Sequence, residues 1–138
     1  MQQTVANHSS FVDFDYWESQ IENLQKEYQG ENPFPHIMLD NFLKKDRASE
    51  IHDSFPKVSD DGWIHYVHYN EKKHGLNKLE HLSPVISNAI NELNSPRFVK
   101  WLSELTGIEG LKSDAMLEGG GLHQTMRGGF LNVHADFT

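Results

Sequence analysis

The pattern of apolar residues changes at Gly107, and this change constrains the fold more than any other feature of the chain. Before Gly107 the apolar residues recur at helical spacing. After it, glycine-rich breaks separate short runs that read as strands. Helices followed by strands are typical of an α+β fold or of a β-fold decorated with helices. We predict a single domain over residues 1–138, with residues 1–13 frayed, residues 14–107 mostly helical with entry strands, and residues 108–138 supplying strands.

Helix boundaries are marked by capping residues. Ser83-Pro84 and Ser95-Pro96 each place an N-cap serine before a proline at the first helical position. The second of these helices is predicted to end at Thr106-Gly107. A stripe of apolar residues from Phe14 to Tyr28 predicts another helix, with Gly30 just beyond its end. Further elements predicted are a helix over 44–55 and strands over 36–39, 63–69, 115–118, 122–126 and 130–137, whereas residues 70–82 are ambiguous.

Composition excludes several classes of protein. The chain has 12 basic and 20 acidic residues, a formal charge of −8, and no cysteine. Such an acidic chain lacks the cationic surplus of a sequence-independent nucleic-acid binder, and the absence of cysteine excludes zinc–thiolate and thiol chemistry. The sequence has no apolar run that would span a membrane and no secretory signal in its first ten residues. We therefore expect no nucleic-acid or membrane partner and a cytoplasmic location.

The last predicted strand carries the informative pattern. Its period of two places His134 and Asp136 on one face, two positions apart. Imidazole nitrogen and carboxylate oxygen together suit Fe(II), Mn(II) or Zn(II). The alternative is a polar strand face in water. One face carries Leu131, Val133, Ala135 and Phe137 and is expected to face a core. The other face carries Phe130, Asn132, His134 and Asp136.

Three stretches resemble one known family. EGGGLHQTMRGGFLNVHADF (118–137) resembles the first metal-binding strand of the Fe(II)/2-oxoglutarate-dependent dioxygenases, and is most similar to their prolyl-hydroxylase-like branch. NPFPHIMLDNFLKKDRASEIHDSFP (32–56) is similar to the entry strand and helix of that branch. FVKWLSELTGIEGL (98–111) is similar to the helix before the barrel strands. The likeness runs from about residue 32 to the end of the chain.

This resemblance implies helices packed on a double-stranded β-helix, a jelly-roll or cupin-like barrel, cut off here after the first metal-binding strand. It implies a 2-His-1-carboxylate site in which His134 is the first histidine and Asp136 the carboxylate. The implied cofactors are Fe(II), 2-oxoglutarate and O2, with ascorbate as a further candidate. The implied reaction is oxidative decarboxylation of 2-oxoglutarate coupled to C–H hydroxylation, with peptidyl proline, another protein side chain or a small metabolite as substrate.

The family's second histidine and its 2-oxoglutarate-binding Arg or Lys lie several strands further downstream, whereas this sequence stops at Thr138. We therefore expect the N-terminal part of a dioxygenase, inactive alone, whose open sheet edge favours a homo-oligomer. The alternatives are a β-pairing interaction domain and a cupin-like metal-binding protein.

Three further residues are candidates for the cofactor pocket: His123, Gln124 and Asn132. If Arg127-Gly128 closes a two-residue hairpin, His123 lies opposite Asn132. If the loop has three residues, His123 lies opposite Val133 and faces away. The remaining histidines are scattered, and His65 and His68 are expected on opposite faces of a strand, so no second metal site is predicted.

Overall fold

The structure, a computed structural model, describes residues 9–136 and confirms the α+β class. Within that range, five α-helices accompany one antiparallel sheet of four short strands. The helices are α1 (Phe14–Ser19), α2 (Ile21–Gly30), α3 (Lys45–Asp53), α4 (Pro84–Leu93) and α5 (Pro96–Thr106). The strands are β1 (Ile64–His68), β2 (Glu71–Leu76), β3 (Leu122–Gln124) and β4 (Phe130–Leu131), and a 3-10 turn covers Leu79–His81.

Local capping fixes α4 and α5 as predicted. The Ser83 hydroxyl accepts a hydrogen bond from the Ile86 N–H at 3.4 Å, and Ser95 accepts one from the Phe98 N–H at 3.2 Å. Helix α5 ends at Gly107, which takes a left-handed φ of 72°. These boundaries depend on residues close in sequence, which explains why the sequence predicts them well.

The predicted helix from Phe14 to Tyr28 is instead two helices, α1 and α2. The Gln20 N–H is shared between the carbonyls of Tyr16 and Trp17, which tightens the chain at the junction. The apolar stripe still faces one core, because Ile21, Leu24 and Tyr28 of α2 pack against the cluster that contains Phe14 and Trp17 of α1. Gly30 is the last residue of α2 rather than the residue after it.

The N-terminal segment is better ordered than predicted. Phe11 and Val12 are 3% and 1% exposed, and Val12 forms an isolated β-bridge with Leu43. The Glu92 carboxylate accepts hydrogen bonds from the N–H groups of both residues, at 3.0 and 2.8 Å. The expected fraying is therefore wrong for residues 11–13, and residues 1–8 lie outside the described range.

Two apolar clusters form the interior. The helical core joins α1 and α5 through Val12, Phe14, Trp17, Trp101 and Leu105. The sheet core packs one face of the sheet against α3 and α4. It contains Trp63, Leu76, Leu82 and Ile86, with Ile51, Phe55, Ile90 and Leu122 packed around them.

Strand β2 is the centre of the sheet, although the sequence left its residues ambiguous. β1 joins it through a two-residue turn and pairs along five residues, from His68 opposite Glu71 to Ile64 opposite Gly75. β3 and β4 both pair with β2, β3 at its C-terminal end and β4 at its N-terminal end. Since β1 occupies one edge of β2, β3 and β4 lie end to end along the other.

The predicted hairpin around Arg127-Gly128 is therefore wrong. Residues 125–129 form a loop between two strands that follow the same edge of β2. His123 lies opposite Gly75, so neither register considered from the sequence occurs. Strands β3 and β4 pair with β2 instead of with each other. The first residues of β2 are polar, so the sequence did not predict the strand with which β3 and β4 pair.

Three other predicted strands are shorter or missing. Residues 36–39 have no strand partner in the described range, although Ile37 and Leu39 pack on the helical core. Residues 115–118 form a turn region. The strand predicted over 130–137 is limited to two residues, and Phe137 lies outside the described range. Leu131 is 49% exposed and Val133 fully exposed, so the face expected to be buried is open to solvent.

Gly121 enters β3 in a conformation that only glycine adopts readily. Its φ is +131°, and an added Cβ would lie 2.5 Å from the Leu76 carbonyl oxygen. We expect Gly121→Ala to lower the free energy of unfolding by about 1–3 kcal/mol, because it strains the backbone and displaces β3. Gly119→Ala is the matched control, since its Cβ meets only Asp114 Oδ2 at 4.0 Å. Equal urea midpoints for the two variants would contradict this.

Candidate metal centre

His134 and Asp136 lie side by side, as the sequence predicts, but not on a strand. The chain leaves β4 at Leu131, and Asn132 holds the next segment to the β1–β2 turn. The Asn132 N–H donates to the Asn70 carbonyl at 2.8 Å, and its side-chain amide donates to the Tyr69 carbonyl at 3.1 Å. The His134 Nε2 atom then lies 3.1 Å from Asp136 Oδ1.

A backbone carbonyl sets the orientation of the His134 ring. Its Nδ1 atom lies 2.8 Å from the Asn132 carbonyl oxygen, which only accepts hydrogen bonds, so Nδ1 carries a proton. In the neutral ring, Nε2 then directs its lone pair at the Asp136 carboxylate. Two acceptors at this distance repel each other unless a second proton or a cation lies between them. The same carbonyl contact is the usual device that orients a metal-binding histidine.

The separation of the two acceptor atoms fits neighbouring ligands of one metal ion. Metal–ligand bonds of about 2.1 Å at right angles place the ligand atoms about 3.0 Å apart. The observed separation is 3.1 Å. Within residues 9–136 no group of three His, Cys, Asp or Glu side chains could hold a metal. His134 and Asp136 therefore supply two ligands, and no third one of these types lies beside them in that range.

The pair is accessible rather than enclosed. The His134 side chain is 38% exposed and that of Asp136 78% exposed. The described residues therefore do not close a cavity around the pair, as the oxygenase resemblance would require. A metal ion could reach the pair directly from solvent.

The three predicted pocket residues are dispersed. His123 and Gln124 are consecutive on β3 and point to opposite faces of the sheet. His123 lines a small cleft with Tyr66, Gly75 and Glu118. Asn132 anchors the segment before His134 and orients its ring. His123 does not join His134 and Asp136 in a group of His, Cys, Asp or Glu side chains that could hold a metal within the described range.

A charged network on β1 and β2 was not predicted from the sequence. The Glu71 carboxylate lies 3.1 Å from Lys73 Nζ and 2.8 Å from His68 Nε2. The hydrogen bond from Lys73 is the main cause that lowers the pKa of the Glu71 carboxyl below its ordinary value of 4.5, with His68 acting in the same direction. His68 meets Glu71 only when β1 and β2 pair. Glu71 and Lys73 are two positions apart on β2 and therefore share a face, but the sequence left residues 70–82 ambiguous.

The lowered pKa of Glu71 predicts a dependence of stability on pH. The ionised carboxylate stabilises the folded state above the unfolded-state pKa near 4.5, and this contribution is lost as pH falls through the lower folded-state pKa. The thermal unfolding midpoint of Glu71→Gln should therefore fall less between pH 7 and pH 3 than that of the parent chain. The exposed Glu109→Gln is the control. Thermal unfolding midpoints measured from pH 7 to 3 would contradict this if the Glu71→Gln and parent curves fell in parallel.

Comparison with known proteins gave no match: no family model, curated protein or solved structure is similar to this chain. In the described part of the chain, no helix is long and apolar enough to cross a membrane.

Proposed function

We propose that His134 and Asp136 are the first histidine and the carboxylate of a 2-His-1-carboxylate iron site in an Fe(II)/2-oxoglutarate-dependent oxygenase of the prolyl-hydroxylase-like branch. The observation that carries the proposal is the 3.1 Å approach of His134 Nε2 to Asp136 Oδ1, with the ring held by the Asn132 carbonyl. In this proposal the third ligand and the partner of the 2-oxoglutarate carboxylate lie outside residues 9–136, and the chain alone does not turn over. The cytoplasm is the proposed location.

The arrangement of helices and strands supports a more specific fold proposal, the double-stranded β-helix. Helices α3 and α4 cover one face of an antiparallel sheet through the sheet core, and the resemblance implies helices packed on a double-stranded β-helix in this way. In this proposal β1–β4 belong to that barrel. The segment that follows β4 would then pair with barrel strands that are not among residues 9–136.

Each residue of the site has a defined part. His134 offers the Nε2 lone pair, Asp136 offers one carboxylate oxygen, and the Asn132 carbonyl holds the Nδ1 proton and so fixes the tautomer. When bound, Fe(II) with 2-oxoglutarate and O2 would supply the oxidation of a C–H bond, and ascorbate, as a further candidate, would keep the iron reduced. The substrate proposed is a protein side chain, such as peptidyl proline, or a small metabolite.

Binding of the co-substrate tests this function. 2-Oxoglutarate chelates iron through its keto oxygen and the neighbouring carboxylate, so a visible absorption band requires neither the third protein ligand nor the basic residue. Under nitrogen, the Fe(II)-loaded chain should therefore develop this band when 2-oxoglutarate is added, and His134→Ala should not. Succinate should form in air only if the missing ligands are supplied by additional sequence. Metal binding without any response to 2-oxoglutarate would contradict the oxygenase proposal and favour a cupin-like metal protein.

The second candidate is a β-pairing interaction domain. It is favoured by exposed apolar residues along the sheet and its continuation: Val67 is 67% exposed, Phe130 41% and Val133 fully exposed. In that case the chain would form a stable dimer and bind no metal. Sedimentation combined with Fe(II) titration distinguishes the two candidates.

A further inference from the structure

A row of three polar side chains crosses the sheet on the face that carries the sheet core. His65 lies opposite His74 on β1 and β2, and His74 lies opposite Gln124 on β2 and β3. Alternation along the strands places these three residues on the same face as Leu76 and Leu122, next to the apolar cluster. They therefore occupy the border between the buried part of that face and solvent.

The two imidazoles of this row meet nitrogen to nitrogen. His65 Nδ1 lies 2.7 Å from His74 Nδ1, and the ring planes are nearly perpendicular at 80°. One of the two nitrogens must donate a proton to the other, because two bare lone pairs would repel each other at this distance. The two Nδ1 atoms face each other, so replacing the single shared proton frees two lone pairs that rotation of the rings can direct at one metal ion.

Gln124 contributes an independent observation. Its Oε1 atom is buried and has no hydrogen-bond partner among residues 9–136. A buried acceptor without a partner destabilises the folded state, so such atoms usually have a ligand or partner. This acceptor belongs to the cross-strand neighbour of His74, at the end of the same row.

We propose that His65, His74 and Gln124 form a site for a divalent transition metal of the Cu(II) or Ni(II) class. The two Nδ1 atoms and the amide oxygen are the proposed ligands, and binding releases the proton shared by the imidazoles. Bonds of about 2.05 Å place two nitrogens about 2.9 Å apart in a square-planar or tetragonal site and about 3.3 Å apart in a tetrahedral one. Either separation is longer than the observed 2.7 Å hydrogen bond, and Cu(II) is favoured because it binds nitrogen ligands most strongly among the divalent first-row metals.

This site is separate from the pair formed by His134 and Asp136. If the two pairs shared one point, they would form a group of at least three metal-ligand side chains, and no such group occurs among residues 9–136. The proposal therefore does not depend on the oxygenase proposal. Each is tested by different variants, at His65 and His74 for this site and at His134 and Asp136 for the other.

Titration of the intact chain with Cu(II) tests the site. We expect one tight equivalent whose electron paramagnetic resonance spectrum shows coupling to two imidazole nitrogens. His65→Ala and His74→Ala should each weaken binding at least about tenfold, and Gln124→Leu should weaken it less. His134→Ala should leave this equivalent unchanged, and exposed His52→Ala is the surface control.

Three results would overturn the proposal. One is a parent spectrum without coupling to two nitrogens, which requires no variant and is therefore independent of any folding defect. Another is full Cu(II) affinity in His65→Ala, a variant at an exposed position whose folding is checked by circular dichroism. Loss of Cu(II) binding in His134→Ala alone would assign the equivalent to the other pair and would equally overturn it.

Discussion

Trp101→Ala is expected to lower the free energy of unfolding by about 3–5 kcal/mol, the range for removing a large aromatic side chain from a core. Trp101 is 3% exposed and lies at the centre of the helical core. Its ring centroid is 5.7 Å from that of Phe42 and 5.9 Å from that of Phe98. Its indole N–H donates to the Trp17 carbonyl at 3.1 Å, which joins α5 to the end of α1.

Two variants separate the contributions of Trp101. Trp101→Phe keeps an aromatic ring but removes the indole hydrogen bond to the Trp17 carbonyl and some buried volume, at an expected cost of about 1–3 kcal/mol. Lys100→Ala changes the neighbouring residue, whose side chain is 79% exposed, and should have an effect within about 0.5 kcal/mol. Urea unfolding followed by circular dichroism measures all three. A Trp101→Ala effect no larger than that of Lys100→Ala would contradict the described core.

The second large effect concerns metal affinity. His134→Ala and Asp136→Asn should each reduce the affinity of the chain for Fe(II), measured by calorimetry under nitrogen, by at least about 100-fold. Each change removes one of two neighbouring ligands and leaves the other to bind alone. The double variant should be little worse than either single variant, because the pair acts as one unit.

A matched control exists in the chain. His52 Nδ1 lies 3.2 Å from Asp53 Oδ1, so this pair has the same residue types at nearly the same separation. Its side chains are 88% and 79% exposed, more than those of His134 and Asp136. His52→Ala should leave the Fe(II) affinity unchanged. An equal loss of Fe(II) affinity in His52→Ala would contradict the assignment, because it would show that an exposed histidine–carboxylate pair elsewhere binds Fe(II) equally well.

The helical half of the fold was predictable because its signals are local. Ser83 and Ser95 cap helices through hydrogen bonds to residues three positions further on, and Gly107 ends α5 through its own left-handed conformation. The sheet was less predictable, because β2 owes its strand structure to its neighbours. Four consecutive polar residues from Glu71 to His74 lie on it, and only pairing with β1, β3 and β4 makes them a strand.

The site was predicted in part. A spacing of two residues brings His134 and Asp136 together, although in a bent segment rather than on a strand. The buried face expected for Leu131 and Val133 was wrong, because β4 pairs with β2 over only two residues. The contact between His65 and His74 could not be read from the sequence, since it depends on the register of the β1–β2 hairpin.

The central claim is that His134 Nε2 binds a metal beside Asp136 while Nδ1 stays protonated against the Asn132 carbonyl. The most direct test is nitrogen-15 resonance of the histidine rings during titration with Zn(II), a diamagnetic probe for this kind of ligand pair. We predict that the His134 Nε2 resonance shifts with the first equivalents, whereas the Nδ1–H signal persists. An unchanged His134 Nε2 resonance at saturating Zn(II), or binding through Nδ1, would contradict the claim.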